Sequence, residues 1–114
     1  MNVLFVCSRN QWRSPTGERI WRKHAEVHSR SAGTSSSARR RLSTADLNWA
    51  DLVLVMEDKH SERIRSDFRA EARHKDIRVL DIPDEYQFMD GELVELLRDV
   101  AGAAIDDKLA TFGA

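Results

Sequence analysis

The sequence has 114 residues, of which 41% are hydrophobic and 32% are charged, and its net charge is −1 at neutral pH. This length suffices for one modest hydrophobic core, so we expect a single domain over residues 1–114. The near-neutral charge argues against a nucleic-acid partner, and no apolar run approaches the ~20 residues that a membrane-spanning helix needs. The amino terminus lacks a basic segment followed by a long apolar stretch, so we expect no secretory signal, no membrane partner and a cytoplasmic location.

The chain contains one cysteine, Cys7, which excludes an intramolecular disulfide. A lone cysteine is usually a small buried hydrophobic residue, so its surroundings must decide whether the thiol has a chemical role. The four histidines lack metal-ligand spacing, and we predict neither a metal nor a cofactor. His60 lies on an apolar helix face, where a packing role is expected. For Glu57, which follows a predicted strand, a helix-start role is favoured.

The first half of the chain alternates between strand and helix signals. Residues 2–6 are continuous, apolar and partly β-branched, which predicts a buried strand. Ser14 followed by Pro15 is typical of an N-cap and a first helical position, so a helix is expected from Pro15 to about His24. Residues 28–32 predict a second strand and residues 34–42 a loop. A capping-box pattern at residues 43–46 predicts a short helix through Trp49.

The second half continues this alternation. Residues 52–56 predict a third strand, residues 58–72 a helix, residues 77–80 a fourth strand and residues 90–109 a last helix. Alternating strands and helices favour parallel pairing with right-handed crossovers. We therefore predict an α/β fold of three layers, with a four-stranded, twisted parallel sheet flanked by helices. A ligand site is expected beyond the carboxyl ends of the strands, where residues 7–13, 33–42 and 81–90 lie.

The segment from Cys7 to Pro15 connects the first predicted strand to the first predicted helix. Loop amides and the positive end of a helix dipole meet at such a position, which is typical of an anion site and favours a nucleophilic thiolate. Arg13 can return to the same centre and bind two phosphoryl oxygens with its planar guanidinium. We predict a phosphate-binding loop that consists of Ser8, Arg9, Asn10, Gln11, Trp12, Arg13 and Ser14.

An acid is also chemically expected, because a group leaving from phosphorus is stabilised by protonation. After that transfer the same carboxylate can activate the water that hydrolyses a cysteinyl phosphate. Asp81, Asp84 and Glu85 follow the fourth predicted strand and are the candidates.

Several segments together resemble one known family. The run from Val3 to Cys7, followed by Asn10, Arg13 and the Ser14-Pro15 pair, resembles the signature of the low-molecular-weight protein tyrosine phosphatases. Further similar segments are Ser31–Thr34, Thr44–Leu47, Asp51–Glu57 and Ile82–Tyr86, so the resemblance spans nearly the whole chain. It implies hydrolysis of phosphotyrosine or similar phosphomonoesters through a cysteinyl-phosphate intermediate. The substrate would be a phosphorylated protein or a small phosphate ester.

The resemblance also implies catalytic roles. Cys7 would attack phosphorus, and Arg13 would bind the substrate and stabilise the transition state. Asp84 would be the general acid, because the register from Ile82 to Tyr86 matches without a gap; Asp81 is the alternative.

Supporting roles follow from the same resemblance. Ser14 would donate its hydroxyl hydrogen to the leaving thiolate. Asn10, braced by Ser31, would hold the loop in shape.

The chain departs from the family at three positions near the predicted site. Arg9 stands where glycine is usual; it is either strained by a positive φ or adds a cation. Trp12 replaces a frequent cysteine and either stacks on a substrate or packs between loop and helix, with packing favoured. Glu85 replaces a proline and is a candidate for the substrate cleft. Tyr86 either walls the cleft or packs in the core. The chain is also short between Thr34 and Ile77, where relatives build much of the wall around the phosphotyrosine ring.

Three other functions use a similar loop. Arsenate reduction would need an external thiol, because Cys7 has no second cysteine beside it. A phosphocarrier would need neither Arg13 nor an acid loop. A non-catalytic phosphate-sensing module would not need the nucleophile.

Overall fold

The computed structural model describes residues 1–113 and contains four strands and five helices within them. The strands are β1 (Asn2–Cys7), β2 (His28–Gly33), β3 (Leu52–Val55) and β4 (Asp76–Val79). The helices are α1 (Arg13–Trp21), α2 (Thr44–Trp49), α3 (Asp58–Asp67), α4 (Arg69–Ala72) and α5 (Gly91–Thr111). The strands form one parallel sheet in the order β2-β1-β3-β4. The predicted α/β fold is confirmed.

The sheet separates two hydrophobic cores because alternate side chains of a strand face opposite sides. On one face, Phe5 stacks on Trp21 with ring centroids 5.6 Å apart, and α5 packs there through Leu93 and Leu97. On the other face, Leu4 and Val6 join buried side chains from α2, α3 and α4. The result is the predicted three-layer arrangement. No helix within residues 1–113 is long and apolar enough to cross a membrane.

The start of α1 differs from the prediction. The helix begins at Arg13, with Trp12 at the N-cap and no side-chain cap, and it ends at Trp21 rather than near His24. Pro15 is tolerated in the first turn because the N–H groups there have no intrahelical acceptor. Ser14 is therefore free from capping, and its hydroxyl points to other partners.

The predicted helix over residues 58–72 is divided in two. Phe68 has φ −130° and ψ 54°, outside the helical region, and separates α3 from α4. β4 begins one residue earlier than predicted, and α5 begins after Asp90, whose carboxylate accepts hydrogen bonds from the N–H groups of Glu92 and Leu93. These differences leave the sheet order and the site unchanged.

Candidate active site

The segment from Ser8 to Trp12 forms the phosphate loop, between the last residue of β1 and the first of α1. Three consecutive carbonyls, beginning at Cys7, accept hydrogen bonds from the backbone of the following serine- and arginine-rich segment. The bonds are Thr34 N–H to Cys7 O at 3.0 Å, Ser35 N–H to Ser8 O at 2.9 Å and Arg39 N–H to Arg9 O at 3.0 Å. The N–H groups of residues 9–13 donate to no acceptor within residues 1–113. With the carbonyls of Cys7, Ser8 and Arg9 bound to this segment and the N–H groups of residues 9–13 unpaired, the loop is suited to binding an oxyanion.

Gly33 at the end of β2 allows this close approach. A Cβ atom at this position would lie 2.5 Å from the carbonyl oxygen of Ser8 and 2.6 Å from the Cβ of Ala38. Any side chain would therefore push the phosphate loop away from the segment that holds it.

The sulfur of Cys7 lies 3.0 Å from the hydroxyl oxygen of Ser14. Asn10 Nδ2 donates to the same oxygen at 2.9 Å, which leaves the hydroxyl hydrogen of Ser14 for another acceptor. Two acceptors are near, the sulfur at 3.0 Å and the carbonyl of Ala32 at 3.4 Å. The shorter contact directs this hydrogen to Cys7, where it would stabilise a thiolate.

The backbone of the loop contains one left-handed residue, Asn10, with φ 57°. Asparagine adopts this conformation more readily than other residues with a side chain. Arg9 is not among the non-glycine residues with positive φ in residues 1–113. The strained alternative for Arg9 is thus rejected, and its exposed side chain adds a cation at the cavity.

The guanidinium of Arg13 is buried and fixed by oxygens from two loops. Its Nη1 donates to Glu57 Oε2 at 2.5 Å and to the carbonyl of Ile82 at 2.8 Å, and its Nε lies 3.6 Å from Asp84 Oδ1. The hydrogen bond from Arg13 holds the pKa of Glu57 below its ordinary value of 4.5. Glu57 has the expected helix-start role, because it is the N-cap residue of α3, and its carboxylate in addition orients Arg13. Its position at the carboxyl end of the strand beside β1 is the sequence signal for this role.

A cavity of about 40 Å³ lies over the loop, which is room for one small group. Although Cys7 is only 3% exposed, it lines this cavity. The other lining residues are Ser8, Arg9, Gln11, Trp12, Arg13 and Asp84. Nucleophile, guanidinium and one carboxylate thus share one small space.

The acid candidates occupy different places. Asp84 lines the cavity and is 56% exposed, whereas Asp81 lines a separate cleft with Glu57, Lys59 and Pro83. Glu85 is exposed but is not among the residues that line the cavity of Cys7. This placement supports Asp84 over both alternatives.

The two aromatic candidates for the substrate cleft, Trp12 and Tyr86, also lie in different places. Trp12 lines the cavity and is 40% exposed, which supports the substrate-facing alternative over the favoured packing role. Trp12 stands at the N-cap of α1, where the chain leaves the loop. Tyr86 instead packs against the core on the α5 side of the sheet, where its ring excludes water.

Ser31 does not brace Asn10. Its hydroxyl donates to Glu18 Oε1 at 2.5 Å, and the amide of Asn10 is bound to Ser14. Ser31 therefore ties β2 to α1, while Ser14 organises the loop from within.

His60 in α3 contacts the loop, which the sequence reasoning missed. Its ring is 1% exposed; Nδ1 accepts from the N–H of Glu57 at 3.0 Å, and Nε2 lies 2.9 Å from the hydroxyl oxygen of Ser8. Burial, and then the positive charge of Arg13, lower the pKa of His60 from 6.5 to about 4. The available signal was its spacing, three residues after Glu57 at the start of a helix.

No family model and no curated protein sequence matches this chain. Solved structures do match it. The tyrosine phosphatase Wzb from Escherichia coli K30, in complex with phosphate, is 25% identical, with 93% of this chain and 96% of Wzb covered and a TM-score of 0.74. A YwlE mutant from Bacillus subtilis is 26% identical, with 92% and 99% covered and a TM-score of 0.68.

A low-molecular-weight phosphotyrosine phosphatase from Vibrio cholerae O395 has the same fold. It is 19% identical, with 100% of this chain and 99% of that chain covered and a TM-score of 0.72. The chain therefore has the fold of the low-molecular-weight protein tyrosine phosphatases, and the resemblance that its motifs indicated is confirmed over nearly its whole length.

Proposed function

We propose that the protein is a cysteine-dependent phosphatase of the low-molecular-weight tyrosine phosphatase type, which hydrolyses phosphotyrosine or a similar phosphomonoester through a cysteinyl-phosphate intermediate. One observation carries the proposal: Cys7, Arg13 and Asp84 line one cavity at the carboxyl end of β1. A phosphocarrier would need no acid there, so this cavity favours hydrolysis. A cytoplasmic location belongs to the same proposal, because a lone nucleophilic thiol must remain reduced.

In the first step the sulfur of Cys7 attacks phosphorus, so that a P–S bond forms as the P–O bond to the leaving group breaks. Asp84 supplies the proton to the leaving oxygen. In the second step the Asp84 carboxylate takes a proton from water, whose oxygen bonds to phosphorus. The P–S bond breaks, and the Ser14 hydroxyl stabilises the departing thiolate across the 3.0 Å contact.

Arg13 and the loop amides stabilise the charge that develops on the phosphoryl oxygens. Because Glu57 and Ile82 occupy Nη1 of Arg13, the remaining guanidinium N–H groups are the ones available to the substrate. Trp12 at the cavity supplies an aromatic face for the leaving group.

The substrate is proposed to be a phosphorylated protein or a small phosphate ester. Solved neighbours include a tyrosine phosphatase from Escherichia coli and an arginine phosphatase from Geobacillus stearothermophilus, the latter 22% identical with a TM-score of 0.70. A panel of phosphotyrosine, phosphoserine and phosphoarginine peptides would define the class, with para-nitrophenyl phosphate as the general reporter.

The test of the chemistry is a set of matched variants assayed with para-nitrophenyl phosphate. Cys7→Ser should abolish turnover, and Asp84→Asn should lower kcat by ~10²-fold for loss of a general acid. Asp81→Asn is the matched control and should retain wild-type turnover. Full activity in Cys7→Ser would contradict the covalent mechanism, and a damaging Asp81→Asn would move the acid role to Asp81.

A further inference from the structure

The ring of His60 has a defined hydrogen-bond polarity. The N–H of Glu57 can only donate, so Nδ1, 3.0 Å away, must be the unprotonated nitrogen that accepts. Because the pKa of His60 is lowered to about 4, the imidazole is neutral near pH 7 and its hydrogen is on Nε2. Nε2–H therefore donates to the hydroxyl oxygen of Ser8 at 2.9 Å.

This polarity determines the direction of the Ser8 hydroxyl. The oxygen of Ser8 already accepts from His60, so its own hydrogen must be donated elsewhere. Within residues 1–113 the Ser8 hydroxyl has no other hydrogen-bond partner, and Ser8 lines the cavity together with Cys7 and Arg13. A phosphoryl group above Cys7 is an acceptor of the right charge at the right place.

Charged groups around His60 act in opposing directions on its protonation. Arg13 in α1 and Lys59 in α3 disfavour a positive charge on the ring, whereas Glu57 and Asp84 favour one. Burial adds to the effect of the cations and keeps the ring neutral. An imidazole held in this state is a fixed donor to Ser8.

The same short segment also controls Arg13. The N–H of Glu57 fixes the ring of His60, and the carboxylate of Glu57 binds the guanidinium of Arg13 at 2.5 Å. The start of α3 thus contacts both Ser8, at the beginning of the phosphate loop, and Arg13, the first residue of α1.

We propose that Ser8 is a side-chain hydrogen-bond donor to the transferring phosphoryl group and that His60 is the positioning residue that orients it. The inference rests on the proposed phosphatase function and adds a donor to the backbone amides and Arg13. No covalent bond is made or broken by either side chain.

Two substitutions at position 60 separate orientation of Ser8 from support of α3. Gln places an amide N–H near the position of Nε2, so it can still donate to Ser8. His60→Gln should therefore keep kcat/KM for para-nitrophenyl phosphate within ~3-fold of wild type, which is a smaller loss than removal of a charge-assisted hydrogen bond causes. Asn can accept from the Glu57 N–H but is too short to reach Ser8. His60→Asn and Ser8→Ala should each lower kcat/KM by ~10-fold or more, as expected for a lost hydrogen bond to a charged group.

The double variant decides between coupled and independent effects. If His60 acts through Ser8, the Ser8→Ala/His60→Asn pair should lose no more than Ser8→Ala alone. Additive losses, or wild-type kcat/KM in Ser8→Ala, would overturn the inference. Ser66→Ala, an exposed serine of α3, is the matched control and should not change the rate.

Nitrogen NMR of the His60 ring gives an independent readout. Near pH 7 the spectrum should show hydrogen on Nε2 and none on Nδ1; the opposite tautomer or a charged ring would overturn the proposed direction of donation. The Cys7→Ser assay keeps the two proposals apart. An active wild type with an inactive Cys7→Ser and an unaffected Ser8→Ala would reject only the role of Ser8.

Discussion

At the residue scale, the phosphate clamp depends on a buried ion pair. Arg13 is 2% exposed, so its charge must be compensated, and Glu57 Oε2 at 2.5 Å supplies the compensation. Gln in place of Glu57 would keep the size of the side chain but remove its charge. We expect Glu57→Gln to lower kcat/KM for para-nitrophenyl phosphate by ~10-fold, because the negative charge that compensates Arg13 is lost and Arg13 is oriented less firmly.

Glu62 provides the matched control for that prediction. It is an exposed acid of α3, the helix that Glu57 precedes, so Glu62→Gln should retain the wild-type rate in the same steady-state assay. Equal effects of both variants would show that the rate depends on the net charge of the protein and not on the contact between Glu57 and Arg13.

His60 makes stability depend on pH. Its pKa is about 4 in the folded protein and 6.5 ordinarily, so the unfolded chain binds a proton first as pH falls. The contribution is fully present above pH 6.5 and is lost between pH 6.5 and about 4, with an upper bound of about 3 kcal/mol at 1.36 kcal/mol per pKa unit. Urea unfolding across this window should show a shallower pH slope in His60→Gln.

His74 is exposed, so His74→Gln should keep the wild-type slope and serves as the control. An unchanged slope in His60→Gln would mean that His60 titrates normally in the folded chain.

The main residues of the site could be identified from the sequence, but several of their hydrogen-bond partners could not. Cys7 and Arg13 could be assigned because the spacing between a strand and a helix restricts where they lie. The hydrogen bond of Ser31 to Glu18 depends on how α1 crosses β2, and that of His60 to Ser8 depends on how α3 packs against β3 and β4. No local pattern encodes either contact.

At the scale of elements, residues 34–42 act as the support of the phosphate loop. The sequence predicted only an irregular loop there, since serine- and arginine-rich segments lack hydrophobic periodicity. Its backbone N–H groups bind carbonyls of the phosphate loop, and Gly33 N–H donates to Arg40 O at 2.9 Å. Such backbone pairing is independent of side-chain pattern, which is why sequence reasoning did not find it.

Gly33→Ala tests this support. The added Cβ would meet the Ser8 carbonyl at 2.5 Å, so we expect a loss of about 1–3 kcal/mol in the free energy of unfolding and reduced turnover. Gly102 in α5 is the contrasting control, since its Cβ would have Trp21 Cζ2 as its nearest contact, at 3.9 Å. Gly102→Ala should stabilise the helix by up to ~1 kcal/mol without changing turnover. Similar urea midpoints for both variants would contradict a tight contact at Gly33.

At the scale of the whole molecule, the sheet order explains why distant segments meet. With β1 in the middle of the order β2-β1-β3-β4, the residues after β1 and β3 lie side by side, and those after β4 follow. Glu57 and Ile82 can therefore both reach Arg13. The alternation of strands and helices was enough to predict parallel strands and the edge that holds the site. The boundaries of α1, and the break at Phe68, depended on local contacts that periodicity does not report.

Anion binding at this edge should stabilise the entire fold, because a ligand that binds only the folded state shifts the unfolding equilibrium by RT ln(1 + [L]/Kd). A second arginine-rich cleft, of about 420 Å³, lies at α3 and α4 and is lined in part by Arg65, Arg69 and Arg73. Inorganic phosphate, at constant ionic strength, should raise the melting temperature of the wild type. Arg73→Ala should retain this increase and Arg13→Ala should lose it, because only the second variant removes a group at the cavity of Cys7. The reverse pattern would assign the stabilising anion to the cleft at α3 and α4.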